Sequence, residues 1–179
     1  MSRIVAGTAR GRRLHVPRGL GTRPTSEKVR GAVFNVLGQF FEGGDVLDLY
    51  AGSGALALEA LSRGCARATL VERDRVALEA IRRNAEACGF SGRVEILPGE
   101  VRGRLARLPA DRFDLVFVDP PYEEGPGEAL ALLDRVTRRG GRVVAEHAAD
   151  APPADRFGNL ALAARRGWGG TGVSIYVRE

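Results

Sequence analysis

The chain has 179 residues, of which 44% are hydrophobic and 27% charged, which fits one globular domain with a core that needs no staples. No apolar run reaches the ~18–20 residues of a membrane span, and no signal-peptide core follows Met1-Ser2-Arg3, so a cytoplasmic protein is expected. Cys65, Cys88, His15 and His147 are too few and too scattered for a disulfide framework or a zinc site, and no metal is expected.

The net charge of +5 is unevenly placed. Residues 1–30 carry eight basic side chains and one acid, Glu27, a net of +7, which leaves −2 for the rest of the chain. Such a segment attracts polyanions through phosphate contacts and counterion release. Arginine is the default basic residue here, 26 against the single Lys28, so some of these charges are ordinary solvated surface. Glycines and prolines at 7, 11, 17, 19 and 24 argue against the amphipathic helix of a transit peptide.

In chain order, Arg3–Ala6 and Leu14–Val16 read as a small hairpin around a Gly- and Arg-rich turn. Thr25 or Ser26 can cap a helix that begins at Glu27, with Val29, Val33, Phe34, Val36 and Leu37 on its apolar side. After Gly43-Gly44 strands and helices alternate. Strands are expected at 45–49, 68–72, 94–97, 115–119 and 142–146, and helices at 54–63, 74–88, 100–107 and 127–138. The chain closes with an antiparallel hairpin, Leu160–Arg166 and Val173–Val177, around Trp168-Gly169-Gly170. The fold class is α/β: a doubly wound, mainly parallel, seven-stranded Rossmann-like sheet with a C-terminal hairpin. It forms a single domain over 1–179, with residues 1–40 as a basic extension of hairpin and helix and 41–179 as the core.

Two loops carry chemistry. The first strand of the core leads into Asp48-Leu49-Tyr50-Ala51-Gly52-Ser53-Gly54, where glycines let a ligand approach the backbone ahead of a helix N-terminus. Glu72, 20 residues after Gly52, ends the next strand, where a carboxylate can accept from both hydroxyls of a ribose. The spacing Gly52-x-Gly54-x-x-Ala57 also fits a dinucleotide fingerprint, so an NAD-dependent oxidoreductase is the competing reading. Asp48 argues against it, because an anion beside the loop suits the cationic amino-acid end of S-adenosylmethionine and repels a pyrophosphate. No Tyr-x-x-x-Lys or His-based hydride-transfer site is present either. Against these roles, Asp48 could instead cap the following turn, and Glu72 could pair with Arg73 or Arg75. Glu100, after the third strand, is placed to meet an adenine amino group or simply to favour a helix N-terminus.

The second loop is Asp119-Pro120-Pro121-Tyr122, behind the apolar strand Leu115-Val116-Phe117-Val118. Proline fixes its own φ and lacks an N–H, so the Pro120 carbonyl is held beside the Asp119 carboxylate. Two acceptors with a ring close by suit a planar base that bears an exocyclic amine. The alternative is a strand-end acid followed by a plain Pro-Pro turn.

With these pieces placed, the chain resembles the bacterial 16S ribosomal RNA guanine-N2 methyltransferases of the RsmD type over nearly its whole length. The loop and the Asp-Pro-Pro-aromatic motif occur in many amino-methyltransferases. The narrowing blocks are Arg3-Ile4-Val5-Ala6-Gly7 with Arg10-Gly11-Arg12-Arg13-Leu14, and Arg23-Pro24-Thr25 through Arg30 to Phe34-Asn35-x-Leu37. The resemblance implies methylation of a guanine exocyclic amine in 16S rRNA or the assembling small subunit. Asp48, Gly52, Gly54, Glu72 and Glu100 would then hold S-adenosylmethionine, and Asp119, Pro120 and Tyr122 the base. Glu100 stands where the family usually has Asp or Asn. Arg10, Arg12, Arg13, Arg23 and Arg30 are assigned to RNA, although the segment of Arg23 and Arg30 could instead fold over the donor pocket. An adenine-N6 methyltransferase on DNA or RNA is the nearest alternative, and a non-enzymatic RNA-binding assembly factor a more distant one. A monomer is expected, with no membrane partner.

Overall fold

The computed structural model describes residues 2–17, 27–121 and 123–179. Arg23 and Tyr122 therefore lie outside the described residues.

Strands β1 (Ser2–Arg3) and β2 (Arg13–Leu14) pair antiparallel in a two-stranded ribbon, followed by helix α1 (Glu27–Leu37). The core then runs β3 (Asp45–Leu49), α2 (Ala55–Ser62), β4 (Arg67–Glu72), α3 (Arg75–Ala87), β5 (Val94–Pro98), α4 (Val101–Leu105), β6 (Phe113–Val118) and α5 (Gly127–Leu133). It ends in β7 (Thr137–Ala148), β8 (Arg156–Phe157), β9 (Leu160–Trp168) and β10 (Thr171–Arg178).

The sheet order is β5-β4-β3-β6-β7-β10-β9-β8. Strands β3 to β7 are mutually parallel, and β10 enters antiparallel to both β7 and β9. The expected seven strands are present, and the short edge strand β8 makes the sheet eight-stranded.

Alternation along each strand divides the core in two. Val46, Leu115, Phe117 and Val144 pack with α1, α2 and α3, whereas Leu47, Leu49, Val116, Val118, Val143 and Ala145 pack with α4 and α5. This is the doubly wound arrangement: both faces of the parallel strands are covered by helices, so those strands read as continuous apolar runs.

The helix expected over 127–138 stops at Leu133. Thr137 already pairs with Phe113 in the sheet, and its hydroxyl donates to the Leu133 carbonyl (2.8 Å). Arg135 turns back to donate to the Leu105 and Leu108 carbonyls, so the chain leaves the helix to enter a long strand.

The amino-terminal ribbon is fastened to the core by buried polar groups. Glu59 of α2 accepts from the Val5 and Ala6 amides (2.8 and 3.0 Å) and from Arg63 Nε (2.7 Å), and it pairs with Arg30 Nε (3.5 Å). Ser62 receives the Thr8 amide at its carbonyl (2.8 Å) and the Ala9 amide at its hydroxyl (2.9 Å). Gly7 lies so close that a Cβ would stand 1.8 Å from the Ser62 oxygen, which with φ +84° leaves glycine as the only residue that fits.

Candidate active site

In this sheet order the chain runs outward from β3 to β5 and then returns to the other side of β3 as β6. The crevice at the carboxyl ends of β3 and β6 is the topological switch point, where open α/β sheets bind ligands. The glycine loop follows β3 and Asp119 follows β6, so the two sequence motifs meet there.

They share a cavity of about 380 Å³, lined among others by Tyr50, Gly52, Glu72, Glu100, Asp119 and Pro121. Among the described residues, its charged lining is five carboxylates (Glu72, Asp74, Glu100, Asp119 and Glu123) and one guanidinium, Arg73. The crevice is anionic.

Gly52 has φ +56°, and a Cβ there would meet nothing nearer than 4.0 Å, so its free side faces open space. Its amide donates to Glu72 Oε2 (2.8 Å), while Oε1 accepts from the Arg73 and Asp74 amides (2.8 and 2.9 Å). Glu72 is thus not tied up by the Arg73 or Arg75 side chain. Three of its roughly four lone-pair sites are occupied, one by the glycine loop and two by the turn into α3, and Glu72 itself lines the cavity. Tyr50 sits at φ 60° in the same loop, a conformation costly for a residue with a Cβ. Burial, and then the charges of Glu124, Glu128 and Glu100, push its phenol above the usual value.

Two donor-site expectations change character. Asp48 is buried and absent from the cavity lining, and its Oδ2 accepts from the Ala57 amide (3.1 Å) in the first turn of α2. The turn-capping reading is therefore realised. Burial first, and then the nearby charges of Asp119 and Glu72, raise its carboxyl well above the usual 3.8. Gly54 likewise does not line the cavity. At φ +77° it leads into α2, and a Cβ there would press on Leu70 (3.1 Å) and Ile81 (3.5 Å), so it shapes the loop from behind.

Glu100 is exposed and precedes α4 without a side-chain capping bond, and Arg73 Nη1 reaches it at 3.3 Å. The second Arg73 nitrogen reaches Glu124 (3.4 Å), so this side chain links two exposed acids. At the acceptor motif Asp119 is half-buried and Pro120 buried, while it is the Pro121 ring that reaches the cavity.

Of the arginines assigned to RNA, Arg10, Arg12 and Arg13 are exposed on the ribbon, and Arg10 shares a groove with Arg3 and Lys28. Arg30 is a correction. It is 1% exposed, pairs with Glu59 and donates to Ser2 Oγ and the Arg3 carbonyl. Its charge serves the interior, so it is not available to phosphates and does not cover the donor cavity.

Sequence reasoning missed Asn84. This buried side chain of α3 accepts from the His15 amide (2.7 Å) and donates to the carbonyls of His15 and of Ser53, inside the glycine loop (2.9 Å each). The signal was there in a polar residue on the apolar side of a strongly amphipathic helix.

The family model for conserved hypothetical protein 95 matches residues 2–177. The chain belongs to that family. The resemblance to RsmD-type methyltransferases is thereby borne out. YlbH of Bacillus subtilis is 36% identical over 183 residues, covering 99% of each chain. Ribosomal RNA small subunit methyltransferase D of Escherichia coli K12 is 41% identical over 133 residues, covering 74% of this chain and 66% of that protein. Among solved structures, the Escherichia coli methyltransferase yhhF superposes with a TM-score of 0.84 at 33% identity, covering 99% of this chain and 98% of that one.

Proposed function

We propose that this protein is an S-adenosylmethionine-dependent methyltransferase that modifies the exocyclic N2 of a guanine in small-subunit (16S) rRNA. The observation that carries this reading is the single anionic crevice shared by the glycine loop, Glu72 and Asp119. A ligand that carries a sulfonium and an ammonium is favoured there, whereas a pyrophosphate would face five carboxylates against one arginine. Membership of a family with named rRNA methyltransferases supports the same substrate class.

The residues present fit the donor. Gly52 offers an open backbone approach, Glu72 keeps acceptor capacity for a ribose, Asp48 holds the first turn of α2 behind the loop, and Glu100 lines the same cavity. The bound donor supplies an already activated methyl group. What remains for the protein is alignment, worth up to ~7–11 kcal/mol in well-oriented systems.

Asp119 and the Pro120 carbonyl accept the two N–H bonds of the target amine. They thereby draw its lone pair out of conjugation and stabilise the positive charge that grows on nitrogen. Tyr122 is assigned to stack on the unpaired base, and Arg10, Arg12, Arg13 and Arg23 to the RNA backbone. Among the described residues no helix is long and apolar enough to cross a membrane, and we assign the protein to the cytoplasm as a monomer that meets free rRNA or an assembling subunit.

The test is incubation with labelled methyl donor and unmethylated 16S rRNA, free and in ribosomal particles, followed by nucleoside mass spectrometry and mapping. N2-methylguanosine at one site is expected. N6-methyladenosine as the product, or tight NAD binding without donor binding, would overturn the reading.

A further inference from the structure

We propose that Glu146 reads the ring N1–H of the target base and so makes the acceptor site a guanine site rather than a general amine site; this rests on the methyl-transfer reading above.

Asp119 alone does not choose between bases, because guanine and adenine both carry an exocyclic NH2. The choice must come from the neighbouring ring position. Guanine presents an N1–H donor beside its amine, whereas adenine presents a lone pair. An anionic acceptor one step along the base edge from Asp119 would therefore accept from guanine and repel adenine.

The sheet register places such a group. Strand β7 runs parallel to β6, and Asp119 and Glu146 each directly follow the last registered pair, Val118 and Ala145, at the carboxyl rim. Neighbouring strands are ~4.8 Å apart, so side chains from adjacent strand ends can converge on neighbouring atoms of one base edge. The face is fixed as well. Phe117 and Val144 point into the core under α1, and Asp119 and Glu146 come two residues later on the same face. On the far side of β7, Val173 lies opposite Glu146 and is buried in that same core. The alternate residue His147 faces the other way and bonds Ser174 Oγ (2.9 Å). Glu146 is half-buried, which strengthens its charge relative to an exposed acid while leaving it accessible.

A site built to hydrogen-bond a substrate N–H strongly rejects an analogue that lacks it. The test uses 2-aminopurine, which keeps guanine's 2-amino group but has a lone pair at N1. RNA or particles carrying the mapped nucleotide as guanine or as 2-aminopurine are methylated by wild-type protein, Glu146→Gln and Glu146→Ala, with donor affinity measured alongside. Wild type should prefer guanine by at least roughly 100-fold. In Glu146→Gln the amide can turn its NH2 toward the lone pair, so the preference should fall to about 10-fold or less. Glu146→Ala should slow guanine and leave 2-aminopurine nearly unchanged, with donor affinity kept in both. A variant that was merely misfolded would slow both bases alike and keep the ratio. Wild type using the two bases equally, or either variant keeping the wild-type ratio with donor affinity intact, would overturn the assignment while methyl transfer to guanine stood. Methylation of adenine instead would overturn both.

Discussion

Glu59→Gln removes one charge and almost no volume, and it strikes the most heavily used carboxylate among the described residues. Glu59 is fully buried and serves two backbone amides of the ribbon together with Arg30 and Arg63, which are themselves only 1% and 4% exposed. The amide keeps one acceptor oxygen and turns an NH2 against groups that are all donors. At least one guanidinium and one backbone N–H then lose their partner in the interior. Breaking a buried ion pair costs about 3–5 kcal/mol, a large share of the ~5–15 kcal/mol that holds a typical domain. At roughly 2–4 °C per kcal/mol for a chain of this size, the melting temperature should fall by roughly 6–20 °C. Thermal and urea unfolding of wild type and variant measure this directly. Adding Arg30→Met should recover part of the loss, because the orphaned charge is gone, and a double-mutant cycle isolates that coupling. A loss below about 1 kcal/mol for Glu59→Gln would show that the ribbon is not held through this carboxylate.

Asp119→Ala should leave donor affinity nearly unchanged in calorimetry and cut turnover by ~100-fold or more, the scale for losing a transition-state hydrogen bond; Tyr122→Phe should be nearly silent where Tyr122→Ala weakens base engagement by about 1–3 kcal/mol. Reversal of Arg10, Arg12 and Arg13 to Glu should weaken RNA binding and lower the log–log salt slope by roughly 0.7–0.9 per lost phosphate contact, with donor binding intact. Asp48 has a folded-state pKa raised by burial, so the protonated form is stabilised and its contribution is lost as pH climbs from the unfolded value of 3.8 toward the raised one. Asp48→Asn should therefore flatten the decline in stability over that window, which chemical denaturation at a series of pH values would detect. Gly54→Val should lower stability and donor binding together, because its side chain strains a left-handed backbone and presses on Leu70 and Ile81.

The strand and helix grammar was legible because parallel strands buried on both faces leave unbroken apolar runs, and the helices between them keep their period. The end of α5 was not, since Leu133 and Val136 keep a helical spacing across Asp134-Arg135, and the pairing of Thr137 with Phe113 takes the chain into the sheet instead. The two loops were legible as neighbours because each follows a central strand of the sheet, β3 or β6, and both line one cavity at the switch point. Their division of labour was hidden. Whether Asp48 lines a ligand or caps α2 depends on where the backbone of Ala57 falls, which spacing alone leaves open. Arg30 looked like one more cation in a basic segment because its partner, Glu59, is distant in sequence and reads as an ordinary acid on a helix. Asn84 escaped for the same reason, as its three bonds go to residues of other segments.

The dependence of the ribbon on α2 has a consequence for the order of events at synthesis. β1 and β2 contribute only two residues each, and so short a pair is not stable alone in water. The amides of Val5, Ala6, Thr8 and Ala9 find their acceptors on Glu59 and Ser62, more than fifty residues later. Residues 2–14 therefore leave the ribosome before the helix that holds them and take shape only later, waiting with their arginines exposed until α2 follows. A graft of residues 2–14 onto another enzyme would carry the charge without the shape, unless the α2 surface travelled with it.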